Sequence, residues 1–223
     1  MIRVIPMENF KFFALQYLND WCRDDSRLVD GLSPSRSKHD RLLCMREAAK
    51  YYKIARNFKT LPNELRLDNA LQALDAMGDS ITDENVDAIV CKLADTFHSV
   101  YGNYNVSAAS KFLWIRQQTP IVIYDGRAFQ CVNKACGGGL REGDYASFRA
   151  EWLRQFAMRE DCVLSACAEL VRVKDFSLAH AKSDEDLSSI IGNRWFAQRV
   201  FDTFLWWNAG NGVTVSVEVQ TLP

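Results

Sequence analysis

The sequence predicts a mainly α-helical fold with a small β element formed by its ends. Apolar residues recur at three- and four-residue spacings through most of the 223 positions. The five Pro and eleven Gly fall largely between those stretches. Strict alternation of apolar and polar residues is confined to Val213–Val219 (VTVSVEV), and the best partner for such a strand is Met1–Ile5 (MIRVI). A lone strand exposes unpaired edges, so the two ends either meet within one chain or pair across a homodimer.

Met7–Cys22 places Phe10, Phe13, Leu15, Tyr17, Leu18 and Trp21 on one broad helical face, and Arg23-Asp24-Asp25 ends the helix. After a turn at Leu32-Ser33-Pro34, Ser35 or Ser37 caps a second helix that runs to about Asn57. Its face carries Lys38, Arg41, Arg46, Lys50, Lys53 and Arg56, either as a solvated surface or as a contact for a polyanion. Thr60-Leu61-Pro62 punctuates. Leu65–Met77 is a short helix closed by Gly78. Thr82-Asp83-Glu84 opens the next, with Asn85 completing a weak capping box and Val86, Ile89, Val90, Leu93 and Phe97 forming its apolar face.

Beyond the centre, Lys134–Gly143 is a connection with three consecutive glycines and no phosphate-loop pattern after them. Asp144–Ala157 is a strong helix with Phe148, Trp152 and Phe156 four residues apart. Asp161–Val173 is another. Ser183-Asp184-Glu185-Asp186 starts a last long helix reaching Trp207, dense in aromatics. On it Arg199 pairs with a core carboxylate, Asp125 being one candidate, as a structural ion pair.

With 48% hydrophobic and 25% charged residues, the chain is a globular unit large enough for one core or two lobes. Two helical lobes correspond to residues 1–62 with 140–223, around a central 63–136. No apolar run approaches the roughly 18 residues of a membrane span, and MIRVIPMENFKFF lacks the pattern of a secretory leader. Seven scattered cysteines on mostly apolar positions read as buried free thiols in a reducing, cytoplasmic setting. Their spacings do not suggest zinc, His39, His98 and His180 lie on separate segments, and no metal or cofactor is expected. Net charge is −1, from 27 basic and 28 acidic residues, so a nucleic-acid surface requires the basic residues to gather on one face.

The stretch His98–Val132 organises the rest. Turn-prone Tyr101-Gly102-Asn103-Tyr104-Asn105 precedes the helix Val106–Gln118. Thr119-Pro120 breaks it, the apolar run Ile121–Tyr124 follows, and Asp125-Gly126 opens another helix. Asp before Gly at a helix start is also an ordinary N-cap, worth about 1 kcal/mol. This layout resembles the helix-hairpin-helix DNA glycosylase superfamily, in which a hairpin, an apolar helix, a Pro and a short apolar run lead to a catalytic Asp. The resemblance covers about 35 residues closely, and the separations 125 − 107 = 18 and 125 − 120 = 5 are similar to the family's. The departures are Asn103 and Asn105 in place of the hairpin glycines and Gly102 in place of its Pro. Asn is tolerant of left-handed backbone.

The resemblance implies that Asp125 is the catalytic carboxylate. It places Ser107 where bifunctional members carry a Schiff-base Lys, so a monofunctional, water-using enzyme follows, with Lys111 as a displaced candidate nucleophile. Gly102, Asn103, Tyr104 and Asn105 would hold a phosphate through the turn, with Arg116, Arg127 and Lys134 adding contacts to double-stranded DNA. Tyr101, Trp114 and Tyr124 would line the pocket of a flipped base, although core packing is the commoner fate of such aromatics. No iron–sulfur cluster is implied. Such an enzyme would serve DNA repair or antiviral defence against phage with modified bases. The competing expectation is a non-catalytic helical protein that contacts DNA or protein through the turn.

Overall fold

The computed structural model describes residues 10–58 and 67–210. Every regular element among them is helical. The expected pairing of Met1–Ile5 with Val213–Val219, and the Thr60-Leu61-Pro62 break, lie outside the described residues. No helix among the described residues is long and apolar enough to cross a membrane.

The chain divides into two compact units, Leu18–Tyr124 and Met1–Tyr17 with Asp125–Pro223. The boundaries fall elsewhere than at 62, 136 and 140. Residues 18–58 join the central helices because α3 (Lys38–Tyr51) is tied to α4 (Asp68–Asp75). Lys38 pairs with Asp68 at 3.0 Å, and Arg41 with Asp75 through Nη1 at 3.1 Å. The basic face of α3 is therefore partly neutralised within the fold. Ser37 caps α3 by accepting the Asp40 N–H at 3.1 Å.

In the unit Leu18–Tyr124, α1 (Phe10–Asp20) does not end at Arg23-Asp24-Asp25. The chain continues through a π-helical turn, Trp21–Asp25, into α2 (Ser26–Gly31). The three charges do not share one fate. Arg23 and Asp24 satisfy each other at 2.7 Å on the surface, while Asp25 is fully buried and accepts a 2.9 Å bond from the Tyr52 hydroxyl. After α4, Asn85 is the cap residue of α5 (Val86–Tyr101), and its side chain accepts the Thr82 N–H at 2.8 Å. Helix α6 (Val106–Arg116) is buried from Ala108 through Ile115. Its two polar residues in that stretch, Ser110 and Lys111, are buried as well.

In the other unit, the first part of α1 sets Phe10 against Phe204 (4.8 Å between ring centroids) and Tyr17 against Phe196 (5.0 Å). Helix α7 (Gly126–Ala135) packs along the C-terminal helix. Helix α8 (Tyr145–Ala157) buries Phe148, Trp152 and Phe156 completely. The helix expected over 161–173 is α9 (Glu160–Ala168) followed by α10 (Leu170–Val173) and a 3₁₀ turn, Lys174–Phe176. The helix expected from Ser183 to Trp207 is two: α11 (Asp184–Ile191), capped by Ser183, and α12 (Arg194–Gly210). The break sits at Gly192-Asn193, where the Asn193 side chain donates to the Ile190 carbonyl at 3.3 Å and competes with the helical ladder.

Candidate functional site

The turn between α5 and α6 is short because each helix is closed locally. Gly102 ends α5 in the left-handed region at φ 76°, its N–H on the His98 carbonyl at 2.8 Å. Asn105 begins α6, its side chain accepting the Ala108 N–H at 2.8 Å. The left-handed residue is thus Gly102, whereas Asn105 has a negative φ of −132° and acts as an N-cap. Asn103 also stays out of the positive-φ region. Asn103 and Tyr104 are exposed, Tyr104 by 44%. A Cβ at Gly102 would meet no atom within 4 Å, so Gly102→Ala costs only its backbone strain. We expect a loss of about 1 kcal/mol, read from the urea midpoint.

Ser107 lies in the first turn of α6 and accepts a 3.1 Å bond from Lys111 Nζ. That ammonium is 5.8 Å from the centroid of the Tyr52 ring, whose hydroxyl binds Asp25. Lys111 is 5% exposed and Asp25 fully buried, so an amine and a carboxylate lie inside the unit on either side of the half-buried Tyr52 side chain. Arg116 does not face solvent. It donates to the Leu74 carbonyl at 2.6 Å and to Asp79, and lies 3.8 Å from Asp75. Tyr101 packs edge-on against Phe58 at 4.9 Å, and burial pushes its phenol up to about 12. Trp114 and Tyr124 are also buried, the latter with its N–H on Ser110 Oγ at 2.9 Å. The three residues expected to line a base pocket are core residues of their unit, as their size and apolar surface favour.

Asp125 heads α7. Its backbone is extended (φ −130°, ψ 140°), and its carboxylate accepts the Arg127 N–H at 3.0 Å. The side chain is half-buried, so the N-cap expectation holds without removing the group from water altogether. Arg127 and Lys134 are exposed, at the two ends of the same helix.

Beside α7, α12 carries a residue that sequence reasoning left without a role in the site. Asp202 is 7% exposed and accepts from Trp152 Nε1 at 2.9 Å and from Arg199 Nη1 at 2.8 Å. One core carboxylate that Arg199 pairs with is Asp202, on its own helix. Burial pushes the Asp202 carboxyl up to about 6, against the pull of Arg199 and the Trp152 hydrogen bond, with the Asp125 charge adding repulsion. The available signal was one acid on an otherwise aromatic helix face.

That shift carries a stability consequence. Below about pH 4 both folded and unfolded chains hold this proton. Between about 4 and 6 the folded chain still holds it and the unfolded chain has lost it, so stability from Asp202 falls as pH rises. Asp202→Asn removes a decline on the order of 3 kcal/mol across that window. The check is the difference between wild-type and variant urea midpoints from pH 4 to pH 7, which narrows as pH falls if Asp202 is the source.

All seven cysteines are free thiols. Cys44, Cys131 and Cys167 are buried, and burial pushes them up to about 11, 11 and 12, away from nucleophilic thiolates. Among the described residues no group of three His, Cys, Asp or Glu side chains gathers as a metal site. No family model, no curated protein and no solved structure matches the chain.

Proposed function

We propose that the chain is a monofunctional DNA glycosylase, hydrolysing the N-glycosidic bond of a damaged or modified base flipped from double-stranded DNA. The observation that carries this reading is Asp125, a half-buried carboxylate at the head of α7, directly after the buried run Ile121–Tyr124. Heterolysis of the C1′–N bond leaves positive charge on the deoxyribose and the bonding electrons on the departing base. A fixed carboxylate stabilises that cation and orients the water whose oxygen bonds to C1′, while the water proton passes to solvent or base. The expected residue set contracts. Ser107 supplies no amine for a Schiff base, and the buried Lys111 donates to Ser107. Tyr101, Trp114, Tyr124 and Arg116 act inside the fold, whereas Gly102, Asn103 and Tyr104 in one unit, and Arg127 and Lys134 in the other, are exposed.

The assay is duplex DNA carrying deaminated, alkylated, oxidised or hypermodified bases, incubated with the protein and then heated in alkali. Breaks are expected only after alkali, as abasic sites require. No alkali-labile site on any of these DNAs refutes the enzyme reading. A second reading, a non-catalytic protein contacting DNA or protein through the turn, is favoured by one observation: Asn103 and Tyr104 are exposed while the aromatics and Arg116 around them serve packing.

A further inference from the structure

The end of α12 and the start of α7 present a surface that folding alone does not explain. Trp206 and Trp207 are 42% and 39% exposed, and Phe12 is 59% exposed. Phe12 and Trp207 are joined through Phe13. Trp207 meets Phe13 at 5.8 Å, and Phe13 meets Phe12 at 5.3 Å. The Arg127 guanidinium stands 4.1 Å from the centroid of the Trp206 ring. Its backbone N–H serves Asp125, but its guanidinium makes no ion pair among the described residues. The exposed Arg23, Arg154 and Arg194 each have a carboxylate. Trp206 is therefore an exposed ring beside a guanidinium that has no carboxylate among the described residues.

Flat aromatic faces beside a guanidinium match one chemistry closely: a nucleobase stacks on the ring, and its phosphate pairs with the cation. An apolar protein partner would have to bury that charge without a counter-charge. Paired bases in a duplex turn their faces inward, so the surface suits unpaired ones. We propose that Trp206 and Arg127 form a stacking platform for single-stranded DNA, Trp206 taking a base and Arg127 the adjoining phosphate. The choice of DNA rests on the glycosylase reading, but Trp206 takes no part in bond cleavage.

The test uses the full chain, with a short fluorescent oligothymidylate and a duplex of the same length as probes, followed by anisotropy at two salt concentrations. The oligothymidylate is expected to bind more tightly than the duplex. Trp206→Ala should weaken it about tenfold, with Trp206→Phe recovering part of that loss. Arg127→Gln should weaken binding and lower its salt slope by about one. Wild-type affinity in Trp206→Ala, or no binding of oligothymidylate, overturns the proposal. A sedimenting dimer that Trp206→Ala converts to monomer also overturns it, by making the surface an interface between copies. Base excision is read separately, through Asp125, so either conclusion can fail while the other stands.

Discussion

Asp125→Asn is expected to lower single-turnover base excision by about 10²- to 10⁴-fold while leaving fold and DNA retention in place. The substitution separates two roles of one side chain. Asn keeps an oxygen that accepts the Arg127 N–H, and Asn caps helices about as well as Asp. It removes the charge that, on the proposed glycosylase reading, stabilises a cationic sugar. Asp125→Ala removes both, and so should add a stability loss of about 1 kcal/mol to the same kinetic defect. The measurement is abasic-site formation under enzyme excess, with thermal unfolding of each variant alongside. Equal excision by wild type and Asp125→Asn assigns Asp125 to helix capping alone.

Trp152→Ala is expected to give the largest stability loss, about 4 kcal/mol or more. The indole is completely buried, stacks on Phe156 at 5.4 Å and meets Phe201 edge-on at 5.2 Å. Its N–H also holds Asp202, so truncation leaves a cavity and strips a buried carboxylate of one donor. Domains of this size have a total stability of roughly 5–15 kcal/mol, so the variant should unfold at a much lower urea concentration than the wild type. Trp152→Phe retains most of the apolar volume and isolates the hydrogen bond, at a cost of about 2 kcal/mol. Combining it with Asp202→Asn should recover part of that cost, because a neutral amide needs the lost donor less than a carboxylate does. Equilibrium urea unfolding of the four proteins closes the cycle. A loss below about 1 kcal/mol for Trp152→Ala contradicts the packing described for α8 and α12.

What the chain revealed before its structure was local. Ser37, Asp125, Asp144 and Ser183 each cap a helix with an acceptor for an N–H two or three residues on, a contact within one turn. The aromatic faces of α1 and α8, the turn after Tyr101 and the break at Thr119-Pro120 were legible for the same reason. What stayed hidden depends on partners distant in sequence. Arg116 looks like a free cation until Asp79, 37 residues earlier, is brought to it. Asp25 is buried where the helix continues past it, and one donor to its carboxylate is Tyr52, 27 residues later. Trp152 and Asp202 are 50 residues apart, and neither pattern alone announces the pair. Spacing identified the carboxylate at the head of α7, but long-range pairing determines which neighbouring side chains remain available to a ligand.

The most direct measurement is of what leaves the DNA. Duplex DNA rich in modified bases is incubated with the protein, and the small-molecule fraction is weighed by mass spectrometry beside a count of intact abasic sugars. Free base is expected in equal number to abasic sites, with the backbone unbroken before alkali and neither product formed by Asp125→Asn. Modified DNA that is bound but returns no free base contradicts a role for Asp125 in cleaving the glycosidic bond.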